Sequence, residues 1–284
     1  MNKTLASIAA GMALFAAASV VEAPAAHAQT KVRIATEGAY LPWNGMDASG
    51  KLIGFEIDLS AELCKRIGAT CEVMAQDWDG IIPGLQSRKY DLIMAGMSIT
   101  DERKQVISFA GPYATEPTVF AAMKGSPLLA LNLPTTSVDM SEISPDEQKL
   151  IDQSAAAVKG KTVGVQVSTI QQNMVEQLMP GVEVRAYDKV DNMGLDLVSG
   201  RIDAIVADRS AIEGLIKAGE QNKDITKFGP AFSRGVLGEG VGIGLRKADT
   251  ELQGKLDKAI KDATADGTIT KLSTQWFGYD TSIK

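Results

Sequence analysis

The stretch Phe55-Glu-Ile-Asp-Leu-Ser-Ala-Glu-Leu-Cys-Lys-Arg-Ile67, closed by Gly68 and followed by Cys71-Glu-Val-Met-Ala75, decides the fold class. Leu59, Leu63 and Ile67 recur four apart and so share one helix face, and a glycine just past the last of them is a common helix stop. Before this helix, residues 32–36 alternate like a short strand. After it come a strand over 71–75, a helix over 78–87 and the apolar strand 90–95. Strands alternating with helices predict an α/β architecture built on a mostly parallel sheet with helices flanking it.

Outward from that unit the pattern breaks at 112–117, between Pro112 and Pro117, and a strand over 118–123 follows. Residues 125–159 form a polar excursion with one short helix predicted over 144–158. A second α/β run then begins: strand 162–166, helix 168–179, strand 182–186, helix 191–199, strand 204–207, helix 210–218 and strand 225–228. Gly238, Gly240, Gly242 and Gly244 punctuate a pliable strand, and helices are predicted over 250–265 and 269–276. Two α/β lobes of about 100 residues each fit this count. A ligand would lie between them, at the carboxyl ends of the strands.

The N-terminus reads as an address. Lys3 precedes an apolar stretch over 5–21, and Ala26-His27-Ala28 supplies the small-x-small pattern of a signal-peptidase site, so cleavage is expected after Ala28. A membrane anchor is the competing reading, but the stretch falls short of the roughly 20 strongly apolar residues that a span requires. The mature chain, 29–284, is therefore expected to be exported and soluble. Cleavage there removes His27, the one histidine, and with it most hydrolase and zinc-enzyme chemistry. Cys64 and Cys71 remain; in an exported protein they read as a structural disulfide, a loop that contributes roughly 2–3 kcal/mol. A redox pair would require the spacing C-x-x-C, which is not present.

Of the 284 residues, 45% are hydrophobic and 23% charged, which is ordinary for a globular protein and excludes extended disorder. A net charge of −6 argues against nucleic acid as a partner. Phosphate-loop motifs fail as well. Gly45–Lys51 has the spacing, but Leu52 stands where a hydroxyl must reach magnesium, and Ala155 replaces the leading glycine before Gly160-Lys-Thr162. The acids Glu37 and Asp208 give no sign of a glycosidase pair, because sequence carries no separation between them.

Ala35-Thr-Glu-Gly-Ala-Tyr40-Leu-Pro-Trp-Asn44 and Gly50-Lys-Leu-Ile-Gly-Phe-Glu-Ile-Asp-Leu59 resemble the opening of the family 3 periplasmic solute-binding proteins, which serve polar amino-acid ABC importers. The resemblance continues in order through Trp78-Asp-Gly-Ile-Ile-Pro83, Tyr90–Arg103, Gly164-Val-Gln-Val-Ser-Thr169, Gly200-Arg-Ile-Asp-Ala204 and Gly242–Lys247 to Asp266–Trp276, and so spans the mature chain. Within the family it is most similar to lysine/arginine/ornithine and histidine binders, whose cysteine spacing it shares, and to binders of the opines nopaline and octopine. An excursion like 129–158 occurs in the opine binders. The resemblance implies a type II two-lobe clamp: lobe 1 from 29–116 and 239–284, lobe 2 from 117–238, with the chain crossing near Glu116 and again near Gly238.

The same resemblance assigns roles. Arg103 matches the arginine that grips a ligand α-carboxylate, with Ser98 as a second donor, and a guanidinium fork suits a planar carboxylate. Ser168 and Thr169 open a predicted helix whose hydroxyls and free N–H groups would receive that carboxylate, beside plain N-capping. Asp208 matches the aspartate that binds the α-ammonium; a solvated N-cap is its plainer reading. Glu37 takes the place of the acid that meets a distal cation. Tyr40 and Trp78 match aromatics flanking the ligand stem, although Trp78 also reads as core. Ala95 and Gly96 stand where basic amino-acid binders carry serines, which makes room for a bulkier ligand, and Gln166 matches the opine relatives. Against that, Asp208 favours a primary ammonium.

The expectation is therefore a non-enzymatic, monomeric periplasmic receptor. It would bind arginine, ornithine or lysine without cofactor or metal and deliver it to an inner-membrane ABC permease. An arginine-derived opine is the alternative ligand, and a cyclohexadienyl dehydratase-like enzyme is the remote one. Glu37 opposite Arg103 would complement that enzyme's anionic substrates poorly.

Overall fold

The computed structural model describes residues 31–283. The predicted signal segment, its cleavage point after Ala28 and His27 lie outside the described residues. Two sheets form the two lobes. In the first the strand order is Thr70–Ala75, Lys31–Thr36, Leu92–Ile93, Val241–Leu245 and Ser108–Ala114. In the second it is Glu183–Tyr187, Thr162–Gln166, Ala204–Asp208, Thr118–Met123, Ile225–Ser233 and Ser137–Asp139.

One strand in each sheet runs against all the others. Val241–Leu245 is antiparallel to both of its neighbours, and so is Thr118–Met123. The remaining pairings within these two sheets are parallel, and a separate antiparallel pair joins Gly45–Met46 to Leu52–Ile53. Each reversed strand is the first to enter its sheet from the other lobe: the chain leaves the first sheet after Ala114, enters the second at Thr118, leaves it after Ser233 and returns at Val241. A parallel neighbour needs a helical crossover on its own sheet, and a strand arriving from the other lobe has none.

The helix Phe55–Arg66 forms where its period placed it, with Phe55, Leu59, Leu63 and Cys64 buried. Glu56 and Asp58 lie in its first turn and Lys65 and Arg66 in its last, matching the helix dipole. Gly68 takes a φ of 67°, the left-handed stop that a side chain would resist. Cys64 is bonded to Cys71, tying this helix to the strand Thr70–Ala75. Trp43, Phe55, Phe277 and Tyr113 make an edge-on and tilted ring cluster in the first lobe. Phe120, Phe228 and Phe232 do the same in the second.

Several segments differ from the sequence expectation: the strand expected over 90–95 is only Leu92–Ile93, and the one expected over 225–228 runs Ile225–Ser233. Ser108–Ala114 is a strand through Gly111-Pro112, where the prolines predicted a break. It is an edge strand paired only with Val241–Leu245, through an irregular register between Val241 and Ile243, so a proline that cannot donate to a ladder is tolerated. The polar excursion carries the helix expected over 144–158 and, beyond the expectation, a strand. Its helix Pro145–Val158 opens with a capping box of Ser144 and Glu147. Ser137–Asp139 adds the outer strand of the second sheet, and Val138, Ile151 and Val158 join that lobe's core.

Replacing Cys64 and Cys71 together by alanine is expected to lower stability by about 2–3 kcal/mol, since the bridge restricts the unfolded chain. Urea unfolding of the variant beside the oxidised protein measures it, and equal midpoints would contradict it.

Candidate functional site

A cleft lies between the sheets. Glu37, Tyr40, Trp78, Ala95, Gly96, Ser98 and Arg103 line it from the first lobe, and Gln166, Thr169, Ile170, Gln171 and Asp208 from the second. The strands deliver them. Glu37 follows Lys31–Thr36, the 95–98 loop follows Leu92–Ile93, and Gln166 and Asp208 end their strands, so all lie at carboxyl edges.

The first-lobe loops are held by one buried acid. Glu56 accepts the Gly96 N–H at 2.8 Å and the Tyr113 hydroxyl through Oε1, and the Asn44 amide at 2.8 Å through Oε2. Asn44 in turn accepts the Gly38 N–H at 2.8 Å. Glu56 and Asn44 are fully buried, so the 38–44 and 94–98 loops hang from one carboxylate. Burial raises its pKa, against the pull of these three donors.

Two acids and one guanidinium face the cavity, all buried. The Arg103 guanidinium donates to the carbonyls of Ser98 at 3.0 Å and Ser168 at 3.4 Å and lies 5.2 Å over the Trp78 ring. Burial lowers its pKa to about 10, with Glu102 and Asp208 opposing, so it stays charged at neutral pH. Asp208 accepts from the Tyr40 hydroxyl at 3.0 Å and from the Gln171 amide at 2.8 Å. Burial pushes it up to about 7, against Tyr40, Gln171 and Arg103. Glu37 accepts from the Gln166 amide at 2.6 Å and is also raised by burial to about 7.

Ten of the eleven candidate residues meet around this cavity. Ser168 is the exception. Its backbone is left-handed at φ 58°, its hydroxyl donates to Asp79 at 2.9 Å, and its carbonyl receives Trp78 and Arg103, so it bridges the lobes beside the cavity instead of lining it. Thr169 caps the helix Ile170–Leu178, accepting the Gln172 N–H at 3.2 Å. Asp208 stands at the N-cap position of Arg209–Lys217 but makes no capping bond, because its side chain is spent on Tyr40 and Gln171. Trp78 lines the cavity, and Arg103 stacks on it. Ile170 and Gln171 were missed; their place in the first turn of a helix aimed at the cleft was the available signal.

Glu37 and Asp208 are each hydrogen-bonded to a residue of the opposite lobe, Gln166 and Tyr40. A carboxyl whose pKa is raised by closure favours the closed form where it is protonated. That contribution is complete below about pH 4 and is lost as pH rises through about 7. With no ligand in solution, the radius of gyration from X-ray scattering is expected to increase between those pH values, and Glu37→Gln with Asp208→Asn to flatten the change. A radius independent of pH would contradict this.

The family model of bacterial extracellular solute-binding proteins, family 3, matches residues 32–279. The octopine-binding periplasmic protein of Rhizobium meliloti is 39% identical, over 93% of this chain and 96% of the relative. The histidine-binding periplasmic protein of Salmonella typhimurium is 37% identical, over 96% of this chain and 97% of the relative. Among solved structures, an ancestral arginine-binding protein bound to arginine superposes with a TM-score of 0.73 at 33% identity, covering 89% of this chain and all of that one. With its two sheets, its doubly crossing chain and its ordered motifs, this chain belongs to the family 3 bacterial extracellular solute-binding proteins.

Proposed function

We propose that the protein is the periplasmic substrate-binding component of an ABC amino-acid importer, and that it closes on arginine, ornithine or lysine. The observation that carries this is one buried arginine and two buried acids around a single cavity. Arg103 would take the α-carboxylate, with Ser98, Thr169 and the N-terminus of the helix Ile170–Leu178 as further donors. Asp208 would take the α-ammonium, Glu37 the distal cation, and Tyr40 and Trp78 the stem between. Two carboxyls raised to about 7 by burial are restored as carboxylates by a ligand that brings two positive charges. The lobes would be 29–116 with 239–284, and 117–238, in a monomer that hands its ligand to an inner-membrane permease and catalyses nothing. Export through a signal peptide cut after Ala28 belongs to the same reading.

An arginine-derived opine is the second reading. It is supported by the octopine-binding relative and by Ala95 and Gly96, which leave the site short of hydroxyls. Asp208 argues for the amino acid, because its protein partners, Tyr40 and Gln171, are uncharged and leave it a cation to bind.

A thermal-shift panel on unfolded and refolded protein tests this, with arginine, ornithine, lysine, histidine, glutamine, glutamate, octopine and nopaline. A ligand at 1,000 times its Kd adds about 4 kcal/mol and raises the midpoint by several degrees. Arginine or ornithine is expected to shift the wild type. Arg103→Ala and Asp208→Asn are expected to lose about 2–5 kcal/mol of that affinity, since each leaves a buried charge unpaired. A shift with octopine or nopaline alone moves the assignment to the opine. A shift with glutamate alone overturns the role given to Glu37.

A further inference from the structure

The helix Arg209–Lys217 carries Gly214 in its interior, where glycine costs roughly 1 kcal/mol relative to alanine. The other lobe supplies the reason. A Cβ at Gly214 would stand 2.5 Å from the Leu41 carbonyl oxygen and 3.2 Å from its carbonyl carbon. The obstacle is backbone, which cannot swing aside as a side chain can. Ser210 lies one turn earlier on the same helix face. Its hydroxyl accepts the Trp43 indole N–H at 3.0 Å, with both residues fully buried. Asp208, immediately before the helix, receives the Tyr40 hydroxyl. One face of a second-lobe helix is thus seated along residues 40–43 of the first lobe, and the chain passes between the two sheets only at 114–118 and 233–241. An opening about those crossings that separates the lobes along this face would part the seat.

We propose that Gly214 determines how far the clamp closes: its bare backbone lets the helix settle onto Leu41, and that depth sets whether Asp208 meets Tyr40 in the ligand cavity. Gly214 itself does not line the cavity. It is a positioning residue, acting through Ser210–Trp43 and Asp208–Tyr40. The assignment rests on the reading of the protein as a clamp that closes on its ligand.

The test is Gly214→Ala, with Gly214→Ser as a bulkier second step. Alanine is the better helix former and offsets most of what the loosened seat loses, so the thermal midpoint without ligand is expected to stay within a degree or two. Arginine affinity is expected to fall roughly tenfold or more, mainly through faster dissociation. A readout independent of any ligand is hydrogen exchange at the Trp43 indole N–H, assigned by loss of its signal in Trp43→Phe; it should accelerate roughly tenfold in Gly214→Ala as the bond to Ser210 loosens. Wild-type exchange at Trp43 would overturn the proposal. So would a ligand-free midpoint that falls in step with affinity, since that marks permanent packing and not a closing contact. If arginine fails to bind the wild type, the functional reading falls, and indole exchange still decides the role of Gly214.

Discussion

Glu56 is a carboxylate without access to water, and the geometry of the cleft depends on its being fully satisfied. Four bonds in a chain, from Gly96, Tyr113 and Asn44 to Glu56 and from Gly38 to Asn44, fix two loops that have no regular secondary structure of their own. A buried acid left without such donors would cost several kcal/mol. The loops are therefore held by the penalty of releasing them as much as by the strength of any one bond. Glu37, Tyr40, Ala95, Gly96 and Ser98 inherit their positions from that network.

The second lobe is organised differently. Its cavity residues lie at strand ends and helix starts, on elements held by ordinary apolar packing: Gln166 and Asp208 close strands of the core sheet, while Thr169 and Gln171 open a helix packed on it. The second lobe adds polar bonds of its own, from Gln171 to Thr118 and Asp208 and from Gln166 to the Asp188 carbonyl, on top of its strand and helix ends. Between the lobes the two acids face each other's lobes through Gln166 and Tyr40, so approach of the lobes and desolvation of the acids are a single event. If the ligand is the cationic amino acid proposed above, it turns that cost into an attraction and couples binding to closure.

The α/β alternation was readable because periods of two and of nearly four are local properties, and the helix Phe55–Arg66 and the strand Thr162–Gln166 emerged close to where they were expected. The strand Ser108–Ala114 was not readable, because its proline is acceptable only at a sheet edge and edge position is a property of the whole sheet. The site residues came from ordered motifs, not from spacing, since Glu37 and Asp208 are 171 positions apart by their numbers and meet only through the fold. No motif or period in the sequence singles out Glu56 or Gly214. Each owes its significance to a partner that no local pattern reveals. Ser168 shows the reverse: it lies just before the N-cap Thr169, and a left-handed backbone turns its hydroxyl toward Asp79.

The two reversed strands also bear on the order in which the molecule can be assembled. The second sheet is written in one uninterrupted stretch, from Thr118 to Ser233, and can close as soon as that stretch is available. The first sheet cannot. Its member Val241–Leu245 sits inside it, between Leu92–Ile93 and Ser108–Ala114, and the helices Thr250–Ala265 and Thr268–Phe277 come later still. An N-terminal half emerging first would hold two strand edges open with nothing to pair between them, an arrangement prone to wrong partners. The lobe that begins the chain is therefore the last to be completed, and its middle seam is closed by the segment that arrives near the end.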